Sequence, residues 1–159
     1  MRRLRLYVET SVWSYVYAED APEKQQITQA FFERVAEGRF DIFISQEVLR
    51  EIGRADPETR QRLADLLKTH RPTLLAVTEE VAALAAAYLE QGALPRGKAE
   101  DAMHAATATV YELDALVSWN YRHLVNLRRK ELIHATNLRQ GYLKPLEIIT
   151  PMEVLADEG

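Results

Sequence analysis

The feature that most constrains this chain is its alternation between two hydrophobic periods. Five short apolar runs rich in β-branched and aromatic residues read as strands: Leu4 to Val8, Phe40 to Ser45, Thr73 to Val77, Ala115 to Trp119 and Leu146 to Thr150, the last closed by Pro151. Between them the apolar residues recur at helical spacing. Ile27, Ala30, Phe31 and Val35 follow Pro22 and stop at Gly38, and Val48, Leu49 and Ile52 form a short helix ending near Gly53. Asp56-Pro57-Glu58 starts a helix carrying Leu63, Leu66 and Leu67. Thr78-Glu79-Glu80 starts another, whose Val81, Leu84, Ala85, Tyr88 and Leu89 share one face before Gly92. Ala99 to Glu112, with an alanine-rich face, and Leu124 to Leu138 complete the set. Strands alternating with helices through short connections predict an α/β fold: a three-layer α/β/α sandwich around a mostly parallel sheet of about five strands.

With 159 residues and no Gly/Ser-rich linker, low-complexity tract or repeat, the chain reads as a single domain over 1–159. It has no cysteine, which excludes disulfides, thiolate metal sites, iron–sulfur clusters and cysteine nucleophiles. Any metal must be held by carboxylates, imidazoles, amides or water. No apolar run reaches the ~18–20 residues of a membrane span and no targeting segment is legible, so a cytoplasmic protein without a membrane partner is expected. Neither GxxxxGK[ST], GxGxxG nor a nucleophile-elbow motif occurs, which argues against nucleotide-binding and serine-hydrolase readings.

In a parallel sheet, function collects at the carboxyl ends of the strands. The first strand runs directly into Glu9-Thr10-Ser11, the second into Ser45-Gln46-Glu47 with Glu51 a helical turn later, and the fourth into Ser118-Trp119-Asn120. The helix before the fourth strand opens with Glu100-Asp101 at the same rim. Two carboxylates ~5 Å apart repel by about 3 kcal/mol at an effective dielectric of ~20, and a hard divalent cation such as Mg²⁺ or Mn²⁺ relieves that repulsion. Such a group suits metal-assisted phosphodiester hydrolysis. A metal-dependent phosphatase is the poorer reading, because no DxD pair follows any strand.

Each residue also has a plainer use. Asp101 favours a helix N-terminus through the dipole, Glu100 reads as a solvated first-turn acid, and Glu51 could pair with Arg50 or Arg54 while Glu47 takes its place on the same face. Ser11 and Ser118 could bond local backbone or, equally, a metal-bound water behind the ligands. His104, three residues after Asp101, reads as a packed or hydrogen-bonded histidine, one that could stand behind the ligands, before it reads as a ligand itself. His123 and Arg122 stand where they could meet phosphate at the rim, and a structural contact suits His123 equally. The aromatic run SVWSYVY (11–17), with Phe31 and Phe32, reads first as core and second as a docking patch.

At these residues the sequence resembles the PIN domain nucleases. Glu9-Thr10-Ser11, the segment SQEVLRE (45–51), the run EDAMHAA (100–106) and Val117-Ser118-Trp119-Asn120 follow in the family's order across roughly Leu4 to Pro151, and SWNYRHLVN resembles a bacterial subgroup. The resemblance implies a metal-dependent endoribonuclease that cuts single-stranded or structured RNA, often the toxin of a toxin–antitoxin pair. It also implies Mg²⁺ or Mn²⁺ as cofactor, an antitoxin protein as partner, and a homodimer. Carried over by position, Glu9, Glu51 and Asp101 would be metal ligands, with Asn120 in the place of a fourth acid. Two departures stand out: Glu9 is one methylene longer than the usual aspartate, and Asn120 is neutral. They motivate the alternative of a PIN-like scaffold that binds RNA or a protein without cutting.

The formal net charge of -4 hides an uneven distribution. Residues 121–145 hold six basic side chains (Arg122, Arg128, Arg129, Lys130, Arg139, Lys144) against Glu131 alone, while the rest of the chain has 14 basic and 23 acidic residues. A basic segment beginning just past Asn120 is what a phosphate-tracking surface requires.

Overall fold

The computed structural model describes residues 2–156. Five parallel strands, β1 (Leu4–Val8), β2 (Phe40–Ser45), β3 (Thr73–Leu75), β4 (Ala115–Val117) and β5 (Glu147–Ile149), form one sheet in the order β3-β2-β1-β4-β5. Helices flank it: α1 (Thr10–Tyr15), α2 (Pro22–Ala36), α3 (Gln46–Gly53), α4 (Pro57–His70), α5 (Glu79–Glu90), α6 (Ala99–Val110), α7 (Leu127–Arg139) and α8 (Pro151–Ala156). The α/β architecture expected from the alternation of periods is the one observed. None of these helices is long and apolar enough to cross a membrane.

The central strand β1 is covered on both faces, with Leu6, Tyr7 and Val8 fully buried. This is why its last three residues are continuously apolar rather than alternating, Arg5 standing before them. The edge strands β3 and β5 are only three residues long, which limits the unpaired backbone they offer to other chains. The chain moves outward from β1 through β2 to β3, then crosses back to β4 on the other side. β1 and β4 therefore bound the point where strand order reverses, the place where a parallel sheet opens a crevice at its carboxyl ends.

Several boundaries differ from the sequence reading, each for a local reason. The third strand stops at Leu75, not Val77, because the Ala76 carbonyl accepts the Tyr111 hydroxyl at 2.8 Å. The helix expected to reach Glu112 ends at Val110, since Glu112 takes a left-handed backbone conformation with φ 55°. The fourth strand ends at Val117, and the Trp119 amide goes to Ser11 Oγ at 2.9 Å. The helix expected from Leu124 begins at Leu127, where Asn126 caps it by accepting from the Arg129 amide. Two short helices were not anticipated. In α1 the run TSVWSY carries no capping side chain, and Pro151, read only as a strand terminator, opens α8.

The aromatic run resolves as core: Val12, Trp13, Phe31 and Phe32 are buried, Tyr15 packs against them, and only Tyr17 is substantially exposed. At the opposite end of the sheet, Asp114 accepts from the Arg5 amide (2.8 Å), Arg2 (2.9 Å) and Lys144 (3.1 Å). The Arg2 hydrogen bond, working against burial and helped by the Arg5 amide and Lys144, holds its carboxyl well below the usual value of 3.8. That stability is present at neutral pH and is lost as pH falls from about 4. Asp114→Asn is expected to lower the Tm by a few degrees at pH 7, with the gap to the parent protein closing below about pH 4 in thermal melts.

Candidate metal centre at the strand-order reversal

Glu9 is the first residue after β1 and the N-cap of α1, but its side chain caps nothing (extended backbone, φ -73°, ψ 158°). Instead Glu9 Oε1 accepts two hydroxyls, Ser11 at 2.5 Å and Ser118 at 2.7 Å, and only 6% of the residue is exposed. Burying a carboxylate against neutral donors alone is expensive unless a cation completes the site.

Glu51 lies on α3, one turn beyond Glu47. The arginines that could have neutralised it go elsewhere: Arg50 pairs with Glu47 at 3.0 Å and Arg54 with Glu100 at 2.8 Å. Glu100 is thus an ion-pair partner rather than a free solvated acid. Glu51 Oε2 meets His104 Nε2 at 2.8 Å. One donor atom from each of Glu9, Glu51 and His104 lies within 4.8 Å of the others, the span a metal ion bridges. A second group, Glu47, Glu51 and Glu100, meets the same distance criterion, but two of its three members already hold arginines.

Asp101 sits in the first turn of α6, whose Ala102, Ala105 and Ala106 are fully buried, small enough to seat the helix close to its neighbours. Asp101 Oδ1 accepts from Asn120 Nδ2 at 3.2 Å, and Oδ2 is 3.5 Å from His123 Nδ1. Burial, then the charges of Glu9 and Glu51, push its carboxyl up to about 6 against the pull of His104 and Lys98. Three acids therefore share one electrostatic neighbourhood. For Glu51, burial acts to raise the value, but the hydrogen bond and charge of His104 together with Thr10 hold it lowered. Thr10 Oγ1, beside it, is buried without a hydrogen bond of normal geometry among the described residues. An under-coordinated buried hydroxyl next to clustered carboxylates fits a hydrated cation with oxygen ligands.

The remaining residues singled out from sequence fall around this cluster. Asn120 turns its amide nitrogen to Asp101 and its oxygen to the His123 amide (3.0 Å). The hydroxyls of Ser11 and Ser118 accept from the amides of Trp119 and Asn120, both at 2.9 Å, while donating to Glu9. They tie the β1 and β4 ends into one unit. His104 is fully buried on the inner face of α6, and Arg122 is exposed beside half-buried His123. The basic segment divides: Arg128 stands in the first turn of α7, whereas Arg139 bonds Gln91 and Lys144 bonds Asp114 at the far end of the sheet.

Two contributions escaped the sequence reading. The Tyr7 hydroxyl is 2.7 Å from His104 Nδ1 and 2.8 Å from Ser45 Oγ. Strand alternation was the available sign, since residues 7 and 9 share a face of β1. Lys24 Nζ lies over three rings, 5.7 Å from Tyr15, 5.6 Å from Trp119 and 5.1 Å from Tyr121, which steadies the segment following β4 through cation–π attraction.

Comparison with known proteins agrees with this architecture. A family model described as the PIN domain matches residues 6–130. The crystal structure of VapBC2 from Rickettsia felis, bound to a DNA fragment from their promoter, is similar with a TM-score of 0.59 at 16% identity, over 92% of this chain and 98% of that one. A member of the VapBC family of toxin-antitoxin systems, VapBC-5 from Mycobacterium tuberculosis, aligns with a TM-score of 0.49 at 18% identity, with the same shares covered. No curated protein matches the chain.

Proposed function

The chain belongs to the PIN domain family, and from that premise we propose that it is a divalent-metal-dependent endoribonuclease serving as the toxin of a toxin–antitoxin pair. The observation that carries the reading is the approach of Glu9 and Glu51 from separate elements, with Asp101 close enough to feel both charges, on one largely buried rim where none of the three pairs with an arginine among the described residues. These three carboxylates would hold Mg²⁺ or Mn²⁺. Bound there, the ion supplies a water of lowered pKa and neutralises charge on the phosphoryl oxygens.

The chain's own residues prepare for that role. Ser11 and Ser118 fix the Glu9 carboxylate by two hydrogen bonds to one oxygen, so its orientation is set before the ion arrives. Asn120 stands where an aspartate would add a further negative charge. In this geometry it steadies Asp101 through its amide nitrogen, while its oxygen accepts from the His123 backbone and keeps one lone pair. His123 beside Asp101 and exposed Arg122 before it offer hydrogen-bonding and cationic groups suited to RNA phosphates. A small antitoxin protein and a second copy of the chain are the partners this reading includes, with action in the cytoplasm.

Single-stranded RNA incubated with purified protein should be cut in Mn²⁺ or Mg²⁺ and left intact in EDTA. Cleavage that survives EDTA would overturn the reading. RNA binding with no turnover in either metal would instead favour the scaffold alternative that neutral Asn120 motivates.

A further inference from the structure

His104 is the one histidine whose ring nitrogens are both engaged in the interior. The residue is fully buried, Nδ1 faces the Tyr7 hydroxyl at 2.7 Å, and Nε2 faces Glu51 Oε2 at 2.8 Å. Distance alone admits its Nε2 to a metal cluster with Glu9 and Glu51. We propose that His104 is a positioning residue and not a metal ligand: it keeps a proton on Nε2 and uses it to aim Glu51, with Tyr7 holding the ring from the other side.

An ionised carboxylate has no hydrogen to give, so a 2.8 Å contact with Glu51 requires the proton to sit on Nε2. A protonated Nε2 has no lone pair for a metal. Tyr7 is compatible with either state of the other nitrogen. Its hydroxyl donates to a bare Nδ1 while accepting from Ser45, or accepts from a protonated Nδ1 while donating to Ser45, 2.8 Å away. Ser45 is itself anchored, as the N-cap of α3 accepting from the Glu47 amide at 3.2 Å. The relay Ser45–Tyr7–His104–Glu51 thus starts and ends on the β2–α3 segment and passes through β1 and α6. It fixes one carboxylate by coupling three elements, the arrangement by which hydrogen-bonding partners behind a metal site orient its ligands. Hard Mg²⁺ and Mn²⁺ also favour the oxygens of Glu51 over an imidazole nitrogen.

This inference rests on the reading that Glu51 binds the metal, and its test separates the two. In metal-free protein labelled with ¹⁵N-histidine, long-range ¹H–¹⁵N correlation at pH 7 should show His104 Nε2 protonated. In the Mn²⁺-loaded protein, pulsed electron paramagnetic resonance should show no imidazole nitrogen bound directly to the ion. Mn²⁺ titration should find about 10–100-fold weaker binding in His104→Leu. His104→Gln, whose amide still donates, should keep most of the affinity. Should the leucine variant fail to fold, Tyr7→Phe, which removes only one hydroxyl, is expected to weaken Mn²⁺ binding while leaving nitrogen absent from the ion's shell. A bare Nε2, an imidazole nitrogen on the ion, or equal losses in the glutamine and leucine variants would overturn the proposal alone. A wild-type protein that binds no Mn²⁺ would overturn the metal-site reading and the proposal with it.

Discussion

Asp101→Asn is expected to cut metal-dependent RNA cleavage by about 10³-fold while making the metal-free protein more stable at neutral pH. The activity loss follows from removing one carboxylate of three: metal stabilisation of transition-state charge is worth several kcal/mol, and each ~1.4 kcal/mol is a factor of ten. The stability gain follows from the same geometry with the opposite sign. The folded protein holds the Asp101 carboxyl at about 6, above its ordinary 3.8, because burial and the charges of Glu9 and Glu51 oppose its ionisation. A carboxyl raised on folding costs nothing at low pH. Its penalty grows as pH rises from about 4 to about 6 and persists above. The Tm advantage of Asp101→Asn over the parent, measured without metal, should therefore be a few degrees at pH 7 and shrink towards pH 4. Saturating Mn²⁺ should reverse the order, since only the parent keeps the full ligand set. An asparagine variant that is less stable than the parent in EDTA at pH 7 would contradict this account of the site.

Trp13→Ala should produce the largest loss of stability among single changes near the site, about 3–5 kcal/mol. Trp13 has no exposed surface, its indole donates to the Val8 carbonyl at 3.0 Å, and its ring packs 4.8 Å from Phe32 and 6.4 Å from His70. For a chain of this size that cost corresponds to a Tm drop of about 10 °C or more. Because Trp13 pins α1 to the end of β1, the residue between them, Glu9, should lose its fixed position as well. Mn²⁺ affinity is then expected to fall even at temperatures where the variant stays folded. Tyr17→Ala, in the same aromatic run but 37% exposed, should change stability by less than about 1 kcal/mol. Similar effects from both changes would mean the run packs differently from the arrangement described.

The fold was legible because its central strands are largely buried on both faces, so Leu4–Val8 and Phe40–Ser45 are mostly apolar, with Arg5 and Asp41 their only charged residues, a pattern that periodicity detects. Short edge strands and α1 were placed less well, since their ends depend on single tertiary bonds such as Tyr111 to Ala76. At the site, the types and chain positions of Glu9, Glu51 and Asp101 pointed to one rim. Their partners did not follow. Which arginine would neutralise which glutamate was undecidable from spacing, since Arg50 and Arg54 both lie within a helical turn of Glu51 yet bond Glu47 and Glu100.

By itself, the sequence determined the α/β class, the absence of thiol chemistry and the rim where acids gather, because periodicity, composition and strand ends are local properties of a chain. Tertiary structure alone decided the strand order that puts β1 beside β4, and with it the Ser118 hydroxyl on Glu9 across 109 residues. It also decided that Glu51 meets His104 and that Asn120 turns its nitrogen to Asp101. Those pairings depend on which buried groups come within ~3 Å once the sheet closes, a distance that no spacing along the sequence encodes.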